Sequence, residues 1–437
     1  MKKINSFLKV AISLWATVFQ MGVAHGDEST PMQQELKNDL SLKLPLPGSI
    51  WGSLLFDPIS FDNTLLQKVK AFLFRVASDM TDPVCKVHEF YRKLHLEGTL
   101  PEEKSSLANK LVHFVKMTGY AHKAITTTFP AIALRSVASS LGSDPYLSHV
   151  SEAASSKTLP QSKTFTLLTW NVCFVAAGYP ITDGGVLPWS ERIDRVIDKI
   201  VEKDADVNCL YETFDTKSAF YLSEKLKEKG YTHIYFDIGP QALGASSGIM
   251  VASKYAIENP EFTPFPDEAL VGRAKYSAKG VFSFDLLSEG NAFAKVFATH
   301  LQHSEEPEFP TSEEIEARRH QMNVITDKFQ EREGKGIIVT GDLNLDDAEF
   351  QSSEWQHLFL KGDRFDANSK TWGGDAFCAE MMGKRGSKGL NLDHTMVLKK
   401  SVKEIHTYFV ETGFDAEVFN PDALSDHAGL YSEITLS

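Results

Sequence analysis

Gly336-Ile-Ile-Val-Thr-Gly-Asp-Leu-Asn-Leu-Asp346 opens as a short β-branched apolar run and closes as a polar turn broken by glycine. Ile337, Ile338 and Val339 have no charge between them, which predicts a strand buried on both faces. Gly341 ends that strand and lets the backbone come close to a neighbour. Asp342 and Asn344 follow at alternate positions, which point the same way. A carboxylate and a carboxamide side by side on a rigid strand end sit where open α/β sheets hold their ligands. Taken alone, Asp-x-Asn is equally a turn, since both residues favour Asx-turns.

At 437 residues the chain has room for two or three domains, and its 42% hydrophobic and 24% charged content is that of a globular protein. A net charge of −13 counts against non-specific nucleic-acid binding, which favours basic surfaces. The first residues carry the grammar of a secretory signal. Lys2, Lys3 and Lys9 precede the uncharged run Val10–Phe19, and Ala24-His25-Gly26 offers a cleavage site before Asp27. The apolar stretch is short for a membrane span of ~20 residues. The protein is therefore expected to be exported, or membrane-attached if the signal stays as an anchor. Cys85, Cys173, Cys209 and Cys378 allow three full disulfide pairings that sequence does not rank. None is expected to be catalytic.

Four segments follow from the texture of the chain: a signal at 1–26, a helical region at 27–150, a linker at 151–163 and a catalytic domain at 164–437. In the helical region, Asn63 caps a pattern with Leu65, Val69, Phe72, Leu73 and Val76 on one face. A second helix, beginning at Pro101, directs Leu107, Leu111, Phe114 and Val115 inward, and a third stops at Gly142. These stripes predict a small bundle or a surface packed on the next domain; the alternative is a face for a membrane or a partner. Beyond the linker, strands alternate with helices and with short hairpins, which predicts an α/β sandwich of two mixed sheets with helices outside.

Asn171, Glu212, His300, Asp342, Asn344, Asp393, Asp426 and His427 each follow an apolar run or a short turn. Singly, each is explained by a cap or a satisfied histidine. Together they are the parts of a metal-assisted phosphoester hydrolase. Thr169-Trp-Asn171, Tyr211-Glu-Thr213, Thr299-His-Leu-Gln302, Gly341-Asp-Leu-Asn344, Leu392-Asp-His394 and Ser425-Asp-His427 resemble, in that order, the endonuclease/exonuclease/phosphatase (DNase I-like) superfamily. The resemblance covers roughly Lys163 to Ser437 and implies a four-layered sandwich. Thr-His-Leu-Gln at 299–302, Ser247–Tyr255 and Ser277–Val281 look most like the neutral sphingomyelinase (sphingomyelinase C) branch. Tyr211 departs from that branch's glutamine and Ala256 from its proline, and no long aromatic hairpin is seen.

The resemblance implies that Glu212, with Asn171, holds Mg²⁺ (or Mn²⁺ or another divalent cation) and that Asp426 lies beside it. It implies His427 as general base, Asp393 fixing its tautomer, Asp342 orienting water, Asn344 donating to a phosphoryl oxygen, and His300 stabilising charge there. The expected activity is hydrolysis of sphingomyelin to ceramide and phosphocholine by a monomer acting on phospholipid membranes. A secreted nuclease of the same superfamily, a phosphoinositide phosphatase and a non-catalytic module are the alternatives.

Overall fold

The computed structural model describes residues 63–99, 106–141, 144–151, 157–175, 186–239, 245–331, 335–362, 370–373, 389–413, 420 and 422–437. The expected signal at 1–26, residues 27–62 of the expected helical region, the expected helix start at Pro101, the stop at Gly142 and Cys378 lie outside the described residues.

Two long helices come first, α1 (Asn63–Thr99) and α2 (Leu107–Ser139), then strand β1 (Leu147–Val150) and strand β2 (Thr164–Asn171). Next are α3 (Trp189–Lys203), β3 (Val207–Tyr211), α4 (Thr216–Glu228), β4 (His233–Phe236), β5 (Met250–Ser253) and β6 (Ala256–Pro264). The second half runs through β7 (Gly280–Ser288), β8 (Asn291–His300), α5 (Ser312–Asp327), β9 (Gly336–Asp342), α6 (Asp347–Ser352) and β10 (Phe359–Lys361). It closes with β11 (Asp393–Leu398), β12 (Val402–Val410) and β13 (Gly429–Leu436).

The strands form a seven-stranded sheet, β1-β4-β5-β3-β2-β13-β12, and a six-stranded sheet, β10-β11-β9-β8-β7-β6. The four-layered α/β sandwich expected from sequence is present. Side-chain alternation builds it. Leu167, Val207, Cys209 and Ile434 of one sheet meet Phe282, Val296 and Ile338 of the other in the central core. From the same strands Leu168, Trp170 and Leu210 point outward beneath α3 and α4, where Val196, Ile200 and Leu222 cover them. On the other side Ile337 and Val339 meet Met322 and Ile325 of α5. The strand at 336–342 is thus buried on both faces, as its composition predicts.

Gly341 has a specific reason to be glycine: a Cβ there would strike the backbone of Thr299 on the parallel neighbour β8. α5 starts at the expected capping box, with Thr311 and Glu314 bonded reciprocally. A polar stitch joins the two sheets below the strand ends. Thr340 Oγ1 bonds to Thr169 Oγ1 and, at 3.1 Å, to Thr395 Oγ1, and Tyr211 Oη donates to Thr340 O at 2.9 Å. That gives Tyr211, the departure from glutamine, a structural task of its own.

The amino-terminal region differs from expectation in three ways. Leu147–Val150 is a strand that pairs with β4, and Leu159 of the expected linker packs on the central core, so this stretch is integrated with the sandwich. The second and third predicted helices are one, α2, running through Pro130 from its cap Ser106. Leu107, Leu111, Phe114 and Val115 do not face inward; all are exposed. Small residues make the contact instead: Ala124, Ala131 and Ala138 lie on the opposite face of α2 and allow α1 to approach. Cys85, Cys173 and Cys209 are free thiols. No helix among the described residues is long and apolar enough to cross a membrane.

Candidate active site

β2 runs parallel to β3, and β8 parallel to β9, so each pair ends together. Asn171 stands opposite Tyr211 in the first pair, one residue before Glu212. His300 stands opposite Asp342 in the second. β11 is antiparallel to β9, which sets its first residue, Asp393, across from Asp342. β13 is antiparallel to β2 and begins just after Asp426 and His427. The mixed topology therefore collects distant parts of the chain at one end of the sandwich.

Asp342 is the centre of the group. Its Oδ2 accepts from Asn171 Nδ2 at 2.9 Å and lies 3.6 Å from His300 Nε2 and 3.7 Å from His427 Nε2. Its Oδ1 accepts the Asn344 N–H at 3.0 Å. Asn344 has φ +49° in the left-handed region, which asparagine tolerates better than most residues, and its Nδ2 donates to Leu301 O at 3.3 Å. Asp342 and Asn344 thus form both a local turn and the middle of the site.

His427 is held from several sides. Its Nδ1 is 2.8 Å from Asp393 Oδ2, its N–H donates to Ser425 Oγ at 3.2 Å, and its carbonyl accepts from Trp170 Nε1 at 3.2 Å. Ser425 Oγ in turn donates to Asn171 O at 2.6 Å. Glu212 also has a left-handed φ, +60°, a rare conformation at a residue whose side chain enters the cleft.

Glu212, His300 and Asp342 offer ligand atoms within 4.8 Å of one another, and so do Asp342, Asp393 and His427. Asp426 belongs to neither group, although its charge acts on Glu212. Carboxylate oxygens, one imidazole and the nearby Asn171 carboxamide suit a hard divalent cation that keeps some of its waters.

A family model described as Endonuclease/Exonuclease/phosphatase family matches residues 168–427, more than half of the chain and every site residue above. The chain belongs to that endonuclease/exonuclease/phosphatase family. It is accordingly a metal-dependent hydrolase of phosphoric diesters. No curated protein matches its sequence. Solved structures with a similar fold include a beta toxin from Staphylococcus aureus, 19% identical, covering 61% of this chain and 99% of that chain with a TM-score of 0.50. A mutant of that toxin with bound magnesium ions is 18% identical, covering 61% and 98%, with a TM-score of 0.50. Sphingomyelinase C from Streptomyces griseocarneus is 18% identical, covering 62% and 99%, with a TM-score of 0.47. At such identities the likeness is one of fold.

Burial and like charge set the protonation of this family site. Burial, then Asp426, raises the Glu212 carboxyl to about 7. Burial also raises Asp393, to about 6, against the pull of His427. For His427, burial opposes the charge, but Asp393, Asp342 and Asp426 outweigh it and hold the ring well above its ordinary value. His300 goes the other way: burial, helped by Lys279, His303 and His427, drives it well below. Asp342 therefore lies between an imidazolium and a neutral imidazole. His300 Nδ1 has no hydrogen-bond partner among the described residues.

Three further residues shape the site without having been assigned a role from sequence. Lys279 is buried, and its Nζ donates to Leu301 O at 2.7 Å and to His300 O at 3.3 Å. Burial lowers it to about 8, against the attraction of Asp342 and Glu212. Its signal was the Ser277–Val281 segment, read only as a family likeness. Arg192, on the buried stripe of α3, donates to Val172 O at 2.6 Å and to the carbonyls of Cys173 and Leu424. It ties the loop after Asn171 to the loop before Asp426. Thr371 Oγ1 accepts from the N–H groups of Leu392 at 2.9 Å and Asp393 at 3.1 Å. A lone arginine on a helix and a lone threonine in a loop carry no sequence signal of such duties.

Proposed function

We propose that the protein hydrolyses a phospholipid diester, sphingomyelin, to ceramide and phosphocholine with Mg²⁺ as its cation. The observation that carries the reading is the buried triangle of Asp342, His300 and His427, with Glu212 beside it and the Thr299–Gln302 and Ser277–Val281 segments, which look like the sphingomyelinase branch, forming one wall. The net charge of −13 disfavours a nucleic-acid substrate held by its backbone.

Glu212 and Asn171 would hold the cation, with Asp342 adjoining. When bound, it neutralises charge on the phosphoryl oxygens and offsets the carboxylate field that keeps His427 protonated. The rest belongs to the chain's own groups. His427 Nε2 takes the proton of the attacking water once the ring is neutral, while Asp393 at Nδ1 fixes the tautomer and stabilises the imidazolium formed. Asp342 Oδ2, 3.7 Å from that nitrogen, orients the water. As the water oxygen bonds to phosphorus, the bond to the ceramide oxygen breaks; that oxygen takes a proton from solvent, and the His427 imidazolium returns to solvent the proton it had taken, so the protons balance. His300 and the second hydrogen on Asn344 Nδ2, beside the one given to Leu301 O, donate to the phosphoryl oxygens as charge builds there.

Purified protein is assayed on sphingomyelin vesicles and on DNA, each with Mg²⁺ and with EDTA. Phosphocholine release in Mg²⁺ and none in EDTA is expected. Cleavage of DNA with no lipid turnover would overturn the substrate, and full activity in EDTA would overturn the chemistry.

A further inference from the structure

α2 carries a face that the described residues leave uncovered. Leu107 is 82% exposed, Leu111 62%, Val115 59%, Ile125 58% and Phe129 72%. At 100° per residue these positions fall in one stripe, which at 1.5 Å rise per residue is about 33 Å long. Its opposite edge, through Ala124, Ala131 and Ala138, is buried on the side where α2 packs against α1, and α1 in turn meets α4 and β1 of the sandwich. The stripe is apolar at its two ends and broken in the middle by the exposed Thr118 and His122, which the same geometry puts on this face; exposed apolar surface on this scale marks an interaction surface.

Charge decides what the partner is. Across its 33 residues α2 has no aspartate or glutamate, in a chain whose net charge is −13. The same helical geometry puts Lys110 on one side of the stripe and Lys123 on the other, whereas the Lys116 ammonium sits over the Phe90 ring of α1, 5.3 Å from its centroid. An apolar face bordered by lysines is the arrangement of a helix lying in the interface of an anionic bilayer.

Position supports the same occupant. α1, the packing partner of α2, is pinned beside the cleft: Lys217 pairs with Asp79 and Asp82, at 3.1 Å each, five residues beyond Glu212. The groove between the two parts is lined by Ser78, Asp82, Lys86, Trp189 and Asp215, at the starts of α3 and α4. α4 starts five residues after β3 ends, and Arg192 in the first turn of α3 bonds Val172 O just past β2, so both helix starts lie at the end of the sandwich that carries the site. Beyond this anchor Phe90 stacks on Tyr120 with ring centroids 5.6 Å apart, so the two helices support each other.

We infer that the α1–α2 hairpin is a membrane-docking element that lays the apolar stripe of α2 into an anionic phospholipid surface beside the mouth of the active site. Its purpose rests on the lipid reading of the site; its binding does not. Full-length protein is sedimented in EDTA with vesicles of phosphatidylcholine alone and with added phosphatidylserine, at low and high salt. Binding to the anionic vesicles, weaker in salt, is expected. Leu111→Glu/Val115→Glu/Phe129→Glu should reduce partitioning at least about 100-fold, because three interfacial apolar side chains are lost. Lys110→Gln/Lys123→Gln should lose about tenfold or more of the preference for anionic vesicles.

A Leu111→Ser/Phe129→Ser variant covers the case in which the glutamates disturb folding, judged by circular dichroism. Unchanged binding by the apolar variants, or equal binding to both vesicles, would refute the proposal. So would a wild-type dimer that the variants convert to monomer, since the stripe would then be occupied by a second copy. Turnover of bis(p-nitrophenyl) phosphate reads the site separately and should be unaltered in every variant. Vesicle binding without lipid hydrolysis would remove the substrate assignment and leave the docking surface standing.

Discussion

Replacing Glu212 by glutamine should stabilise the metal-free protein and abolish its activity. Surrounded by protein, close to Asp426 and Asp342, the carboxyl titrates near 7 rather than 4.5. A folded-state pKa raised in this way makes the ionised form costly. The cost is absent below about pH 4.5, grows through the interval and is full above about pH 7, where 2.5 units correspond to at most about 3 kcal/mol. Glutamine keeps the shape and removes the charge. In EDTA at pH 8 the variant should therefore be more stable than wild type by up to about 3 kcal/mol, with the difference vanishing towards pH 4.5. Saturating Mg²⁺ should reverse the order, because only wild type gains RT ln(1 + [Mg²⁺]/Kd). Urea denaturation at pH 5 and pH 8, with and without Mg²⁺, measures all four states. A variant less stable than wild type in EDTA at pH 8, or a difference independent of pH, would refute the placement of Glu212 in a carboxylate cluster awaiting a cation.

His427→Ala should lower turnover by about 10²–10⁴-fold with an unchanged circular dichroism spectrum; near-wild-type turnover would remove it as the base. Divalent-cation affinity measured by calorimetry should fall about tenfold per pH unit below pH 7, as protons compete for the Glu212 carboxyl. A flat profile would place the cation elsewhere. Tyr211→Phe removes the 2.9 Å bond to Thr340 O between the sheets and should cost about 1–3 kcal/mol in urea denaturation. A neutral result would mean that the threonine stitch suffices without it.

Much of this arrangement was legible because it depends on local pattern. Ile337 to Val339 announce a doubly buried strand by composition, and Thr311 with Glu314 announces a helix start by spacing. The site residues were legible as strand-end polar groups in a recurring order. What escaped depends on contacts distant in sequence. Arg192 reads as one more basic residue on an amphipathic helix, yet it bonds carbonyls on two loops more than 200 residues apart. Lys279 becomes remarkable only once burial has brought its charge near Asp342. On α2 the periodicity of Leu107, Leu111 and Val115 was visible, but periodicity shows that a face exists and not which side meets the core. The alanines opposite, at 124, 131 and 138, hold that information, because small residues let two helices approach closely.

The opposite protonation of the two histidines follows from the same topology. His427 sits at the start of an antiparallel strand, where Asp393, Asp342 and Asp426 surround it; His300 ends a parallel strand against Lys279. Both rings reach within 3.7 Å of one oxygen, Asp342 Oδ2. One carboxylate therefore serves an imidazole that must give up its proton before it can act as base and another that is already neutral. Anything that reduces the negative field around Glu212 weakens the hold on the His427 proton, and it reaches His300 only through loss of the His427 charge, the last of the causes that keep that ring neutral after burial, Lys279 and His303. A bound cation would do this through its charge, while burial keeps the second ring neutral. In Glu212→Gln the His427 titration followed by NMR should move down, and the His300 signals should stay those of a neutral ring from pH 6 to 9. If the two rings titrated together, the separation of their roles would be lost.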